Sequence, residues 1–92
     1  MKSTIYKSKI GELELSTLTR LYPAAIIEIA GDSAEMSLEW VEQNGEKVNI
    51  VSYILVFDYT PIGAEKKDRK VLEFSSKEEL MHTIGEVAPF FH

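Results

Sequence analysis

Cysteine is absent from the 92 residues. That removes disulfides, thiolate metal sites, iron–sulfur clusters and thiol nucleophiles together, and leaves stability to packing. No stretch approaches the roughly 18 consecutive apolar residues of a membrane span. The opening Met-Lys-Ser-Thr-Ile-Tyr-Lys lacks the apolar run of a signal peptide, so a cytoplasmic location is expected. Positive charge is in deficit. Ten Lys and Arg against 15 Asp and Glu leave a net −5, which disfavours a dedicated nucleic-acid surface, where a positive field must neutralise phosphates. Neither Gly-x-x-x-x-Gly-Lys nor Gly-x-Gly-x-x-Gly occurs, so phosphate cradling by a Gly-rich loop has no support.

What is present is an ordinary globular composition, 45% hydrophobic and 27% charged, too apolar for disorder. The length suits a single domain over residues 1–92, burying roughly 60–68% of its unfolded surface. Residues 3–10 are β-branched and aromatic with lysines interleaved, which suits a half-exposed strand, and Gly11 breaks the run. Residues 12–22 fit two periods. Leu13, Leu15, Thr17 and Thr19 alternate as in a strand, whereas Leu15, Leu18, Leu21 and Tyr22 fit a short helix. Ser16, Thr17 and Thr19 tilt the segment towards strand. Pro23 is expected to end it, since proline restricts the residue before it. The apolar run 24–30 is closed by Gly31-Asp32-Ser33, residues suited to a turn.

Residues 34–43 and 46–59 flank Asn44-Gly45, the pair best suited to a type I′ turn. A hairpin is therefore expected there, with Val41 opposite Val48, Leu38 opposite Val51 and Met36 opposite Tyr53. The second of these strands is apolar on both sides: Val48, Ile50, Ile54 and Val56 on one, Val51, Tyr53, Leu55 and Phe57 on the other. Such strands are usually covered on both faces. After the turn at Thr60-Pro61-Ile62-Gly63 and a charged segment, residues 71–74 read as a further strand. Ser76 and Glu79 then have capping-box spacing. Leu80, Ile84, Val87 and Phe91 form one apolar stripe, widened by Met81 and Ala88, with Pro89 near its end.

The expected fold is α+β, with five to six mainly antiparallel strands in a sheet or partly closed roll and one C-terminal amphipathic helix packed on it. The order of strands before a capped helix resembles, in outline, the small rolls of pleckstrin-homology-like domains; that resemblance carries no function. One helix covers one face of a sheet. The two-faced strand therefore implies a curled sheet, a second helix within 13–22, or two protomers stacking sheets as a homodimer.

Catalytic signals are few. His82 and His92 lack zinc-site spacing, and His82, with Glu78 and Glu86 four residues to either side, reads as a solvated helix residue. Gly31-Asp32-Ser33 matches in letters the Gly-Asp-Ser block of GDSL-type hydrolases. The Asp-x-x-His that such enzymes need is Glu79 to His82 here, and the chain is too short for that fold. The six acids Glu28, Asp32, Glu35, Glu39, Glu42 and Glu46 fall within 28–46 without a Lys or Arg. They lack the spacing of a calcium loop, so no metal and no cofactor is expected. Lys66, Lys67, Arg69 and Lys70 are the one basic run, interrupted by Asp68.

Together these features point to a non-enzymatic protein-binding or adaptor module. Its partner would be another protein or a second copy, met through Lys66, Lys67, Arg69, Lys70, Phe90 and Phe91, because segregated charge guides association. The alternative is a small-ligand-binding protein or small enzyme with a pocket at the sheet mouth, using Arg20, Tyr22 and Glu28. A third reading is polyanion binding through Lys66, Lys67, Arg69 and Lys70.

Overall fold

The computed structural model describes residues 4–91. Chain order is β1 (Ile5–Ser8), β2 (Gly11–Glu14), β3 (Arg20–Ile29), β4 (Asp32–Met36), α1 (Leu38–Asn44), β5 (Asn49–Asp58), β6 (Arg69–Phe74) and α2 (Lys77–Val87). A 3-10 turn over Ala88–Phe91 follows. The fold is α+β, as expected, but the strands form two antiparallel sheets rather than one. β1 and β2 make a hairpin, and the main sheet has the order β4-β3-β5-β6.

The expected hairpin at Asn44-Gly45 is not formed. Residues 38–44 are helical instead. Three local features favour the helix. Ser37 caps it, its hydroxyl accepting from the Trp40 amide at 3.1 Å, which satisfies one of the orphan donors of the first turn. Leu38 and Val41 fall three residues apart and pack on the same cluster as Ala25 and Ile27. The Asn44 side-chain amide donates to the Trp40 carbonyl at 3.0 Å. Gly45 lets the chain leave tightly, since a Cβ there would lie 2.7 Å from the Val41 carbonyl oxygen. The tight hairpin lies elsewhere. Ala30 (φ 52°) and Gly31 (φ 86°) both have positive φ and join Ile29 to its partner Asp32, the two-residue loop that a type I′ turn supplies.

β3 is the hub of the sheet. It pairs with β5 from Arg20 to Glu28 and with β4 only from Ala25 to Ile29. The expected stop at Pro23 does not occur, because the strand runs through it. Proline lacks an N–H and is tolerated at a sheet edge. Among the described residues, β3 has no strand neighbour from Arg20 to Ala24 on the side where β4 would lie. Residues 12–22 contain no helix.

Both helices and the β1–β2 hairpin lie on one face of the main sheet. There Leu55, Phe57, Leu72 and Phe74 meet Leu13, Leu15, Leu80 and Val87, all buried. Each such side chain contributes about 1.5–3 kcal/mol relative to exposure. Ser76 caps α2 by accepting from the Glu79 amide at 3.2 Å, and the helix ends at Val87, two residues before Pro89. Leu80 and Val87 of the apolar stripe are buried, but Met81 is exposed. Lys77 pairs with Glu42 at 2.9 Å and ties α2 to α1. The shortest dimension, 21 Å, suits a sheet and one helical layer stacked about 10 Å apart.

The other face of the main sheet carries Tyr22, Ala24 and Ile26 from β3, Ile54 and Val56 from β5, and Val71 from β6. Among the described residues no helix or strand packs on it. Val51 is the extra residue of a bulge between Ser52 and Ile50 opposite Ile26 and Ile27, and it is exposed, as is Val71.

Candidate functional site

Two places concentrate unusual geometry, one on each face of the main sheet.

The first is a polar strap across the helix-free face. Strand alternation directs Arg20, Tyr22, Asp58, Arg69 and Glu35 to this side. Arg20, Asp58 and Arg69 share one row of the ladder. Arg69 Nη2 donates to Tyr22 Oη at 2.8 Å and to Glu35 Oε1 at 3.0 Å. Arg69 and Glu35 belong to the two outer strands, so their contact spans the width of the sheet, and sheet twist is what brings such opposite corners together. The Arg20 guanidinium lies 4.8 Å from the Tyr22 ring centroid and that of Arg69 5.8 Å, both within cation–π range. The hydrogen bond that Arg69 donates to the Glu35 carboxylate raises the Arg69 pKa further. Hydrogen bonds from the Thr60 hydroxyl and amide hold the Asp58 carboxyl below its usual range, and the two arginines add to this. Ala24, Ile54 and Val56 lie beneath the strap at 3%, 3% and 0% exposure. Arg69 Nε is buried and has no hydrogen-bond partner among the described residues.

The second place is a cleft of about 330 Å³ on the helix face. It is lined by Leu21 and Pro23 of β3, Leu55 of β5, Ile84 and Val87 of α2, and Ala88 and Phe91 of the 3-10 turn. Every lining side chain is apolar. The cleft runs beside the stretch of β3 that β4 leaves unpaired. Phe90 turns back onto Tyr6, with the rings edge to face at 6.2 Å. Phe91 stays half exposed at the cleft.

The remaining sequence candidates disperse. Arg20 and Tyr22 lie together, but Glu28 is six residues further along β3, about 20 Å away at strand rise. The carboxylates beside Arg20 and Tyr22 are Asp58 and Glu35 instead. Lys66 and Lys67 are exposed in the loop before β6. Adjacent strand residues face opposite sides, so Arg69 joins the strap while Lys70 points to the helix face, 5.9 Å from the Tyr59 ring. The four basic residues therefore do not share one surface.

Of the six clustered acids, Glu35 and Glu42 are paired with Arg69 and Lys77. Among the described residues no three His, Asp or Glu come together as metal ligands. His82 is exposed, 3.6 Å from Glu86 one helical turn on, and His92 lies outside the described residues. Asp32 and Ser33 of the Gly-Asp-Ser tripeptide are exposed residues of β4. No described helix is long and apolar enough to cross a membrane.

The sequence reading passed over Leu21, Pro23, Ile84 and Val87 as parts of one site. A usable signal was Pro23 inside an apolar run, which marks an edge strand. No protein-family model, curated protein or solved structure matches this chain. The functional reading therefore rests on geometry.

Proposed function

We propose that this chain is a non-enzymatic protein-binding module that takes an extended, aliphatic segment of a partner along the unpaired part of β3. One observation carries the reading: the apolar cleft and the strand stretch without a neighbour coincide at Leu21 and Pro23. An added strand draws affinity from backbone hydrogen bonds and specificity from pockets for alternate side chains. Pro23 offers no donor, so backbone pairing there is sparse and the cleft must supply most of the selectivity. Phe91, at 51% exposure, would close over an inserted side chain as an aromatic anchor.

A small-ligand pocket is the second reading, favoured by a volume within the range of ligand sites, about 300–1,000 Å³. Such sites orient their ligands with a few convergent polar groups, and the lining here offers none. Selection of displayed random peptides against the purified protein tests the proposal. Enriched peptides with an aliphatic anchor should shift the backbone amide resonances of Leu21, Ile84 and Phe91, and should lose binding to Ile84→Glu. No enrichment, or shifts confined to other surfaces, refutes it. A small-molecule adduct retained in native mass spectrometry and lost in Ile84→Glu would favour the ligand reading.

A further inference from the structure

We infer that the Arg69–Tyr22–Glu35 strap is a built-in cover that keeps the helix-free sheet face from serving as an interface between two copies of this chain. The apolar row beneath it is continuous across the central strands: Ala24 and Ile26 on β3, Ile54 and Val56 on β5. Exposed, it would be the kind of apolar patch that drives association. Ala24, Ile54 and Val56 are nonetheless at most 3% exposed, with no helix or strand of the described residues packed over them. Tyr22 and Ile26 pack against them, and Arg69 is bonded to the Tyr22 hydroxyl. Arginine covers apolar surface with its methylene stem while its head group stays polar. The Arg69 head is tethered at Tyr22 and Glu35, so the stem is held across the row.

The exposed large apolar side chains here are Val71, at 40%, and Val51 at the bulge, at 53%, while Tyr22 and Ile26 are partly buried. Two such valines offer far less than the roughly 800 Å² per partner that a standard interface buries. A two-faced central strand is thereby satisfied within one chain. The cover lies on the opposite face from the cleft, and this inference stands independently of the proposed binding function.

Arg69→Ala and the double variant Tyr22→Phe/Glu35→Gln test it against the wild type. The readouts are fluorescence of a hydrophobic dye and sedimentation over a wide concentration range. The wild type should be dye-silent and monomeric. Arg69→Ala should raise dye fluorescence several-fold and shift to a dimer, and adding Val71→Lys on the same face should reverse that dimer. The double variant keeps every apolar group and the Arg69 stem but frees the tether, so it carries the test if Arg69→Ala fails to fold. Its dye signal should rise at least twofold. Dye-silent, monomeric behaviour of the double variant overturns the inference. So does a wild-type dimer that Val71→Lys abolishes.

Discussion

Ala30 is the sharpest place to challenge this fold. It is the one non-glycine residue with positive φ among the described residues, and it sits in the two-residue loop joining β3 to β4. An L-residue in the left-handed region costs roughly 1–2 kcal/mol because its Cβ crowds the following carbonyl. Asparagine tolerates that region, and Asn-Gly is the favoured type I′ pair. Ala30→Asn should therefore stabilise the protein by about 1 kcal/mol. Ala30→Gly removes the same strain but gives back about 0.4–1 kcal/mol through the freedom glycine adds to the unfolded chain. Its net gain should be smaller, about 0.5 kcal/mol.

For a domain of this size about 1 kcal/mol moves the melting temperature by roughly 4–8 °C. Urea unfolding should show a higher midpoint with an unchanged slope, since the surface exposed on unfolding is the same. Gly31→Ala, at φ 86°, should cost about 1–2 kcal/mol by the same reasoning. The contrast is Asn44. There the helix-propensity gain of alanine, up to about 0.7 kcal/mol, offsets a lost hydrogen bond of about 0.5–1.5 kcal/mol, so Asn44→Ala should be near neutral. A neutral or destabilising Ala30→Asn together with a strongly destabilising Asn44→Ala would refute the placement of the turn and restore the Asn44-Gly45 hairpin.

Gly45→Ala should destabilise by about 1–3 kcal/mol in thermal melts. The clash at 2.7 Å is with backbone, which cannot rotate away, and it outweighs a helix-propensity gain of about 1 kcal/mol. Ser76→Ala removes the cap of α2 and should cost about 1 kcal/mol, with Ser76→Asp restoring most of it. Acid should weaken the fold in one direction only. Thr60 hydrogen bonds depress the Asp58 pKa, and Thr4 depresses that of Glu14. A carboxylate whose folded pKa lies below its unfolded value stabilises above the unfolded pKa, about 4, and that contribution is lost as pH falls through the folded one. Urea midpoints should therefore be flat from neutral pH to about 5 and fall below about 4, and Asp58→Asn should flatten part of the fall.

Much of the fold was legible because the local signals agreed with the tertiary ones. The unbroken apolar run of β5, the capping serine of α2 and the stop before Pro89 each had one reading. The segment 34–48 is different, because the expected hairpin used only one of its two periods. Its alternation of Met36, Leu38 and Trp40 with Glu35, Ser37 and Glu39 has the period of a strand, while Leu38 and Val41 have that of a helix. Asn-Gly suits either a hairpin turn or a helix end. What decided it is non-local: β3 takes the place beside β5, so residues 38–44 are free to pack as a helix over Ala25 and Ile27. The turn expected at Gly31-Asp32-Ser33 forms one residue earlier, at Ala30-Gly31, and its type I′ class is hard to read because alanine advertises it poorly. Arg20 and Tyr22, grouped with Glu28 from the sequence, lie two apart on one strand. Their partners, Asp58 and Glu35, come from other strands, and only the register brings them near.

The two-faced β5 separates a requirement from the group that meets it. Apolar residues on both sides of a strand demand that both sides leave water, and the step from there to a second layer or a second copy is an assumption about what does the covering. Holding one arginine stem in place costs up to about 2 kcal/mol of rotamer entropy. Burying Ile54 and Val56 contributes about 1.5–3 kcal/mol each, and the hydrogen bonds at Tyr22 and Glu35 fix the stem at little further cost, since Arg69 is held at both. The balance favours the strap over an exposed row. On the inferred cover, a small sheet carries a central strand with two apolar faces and one helical layer when an edge strand contributes a long side chain and the far edge an acid to hold it.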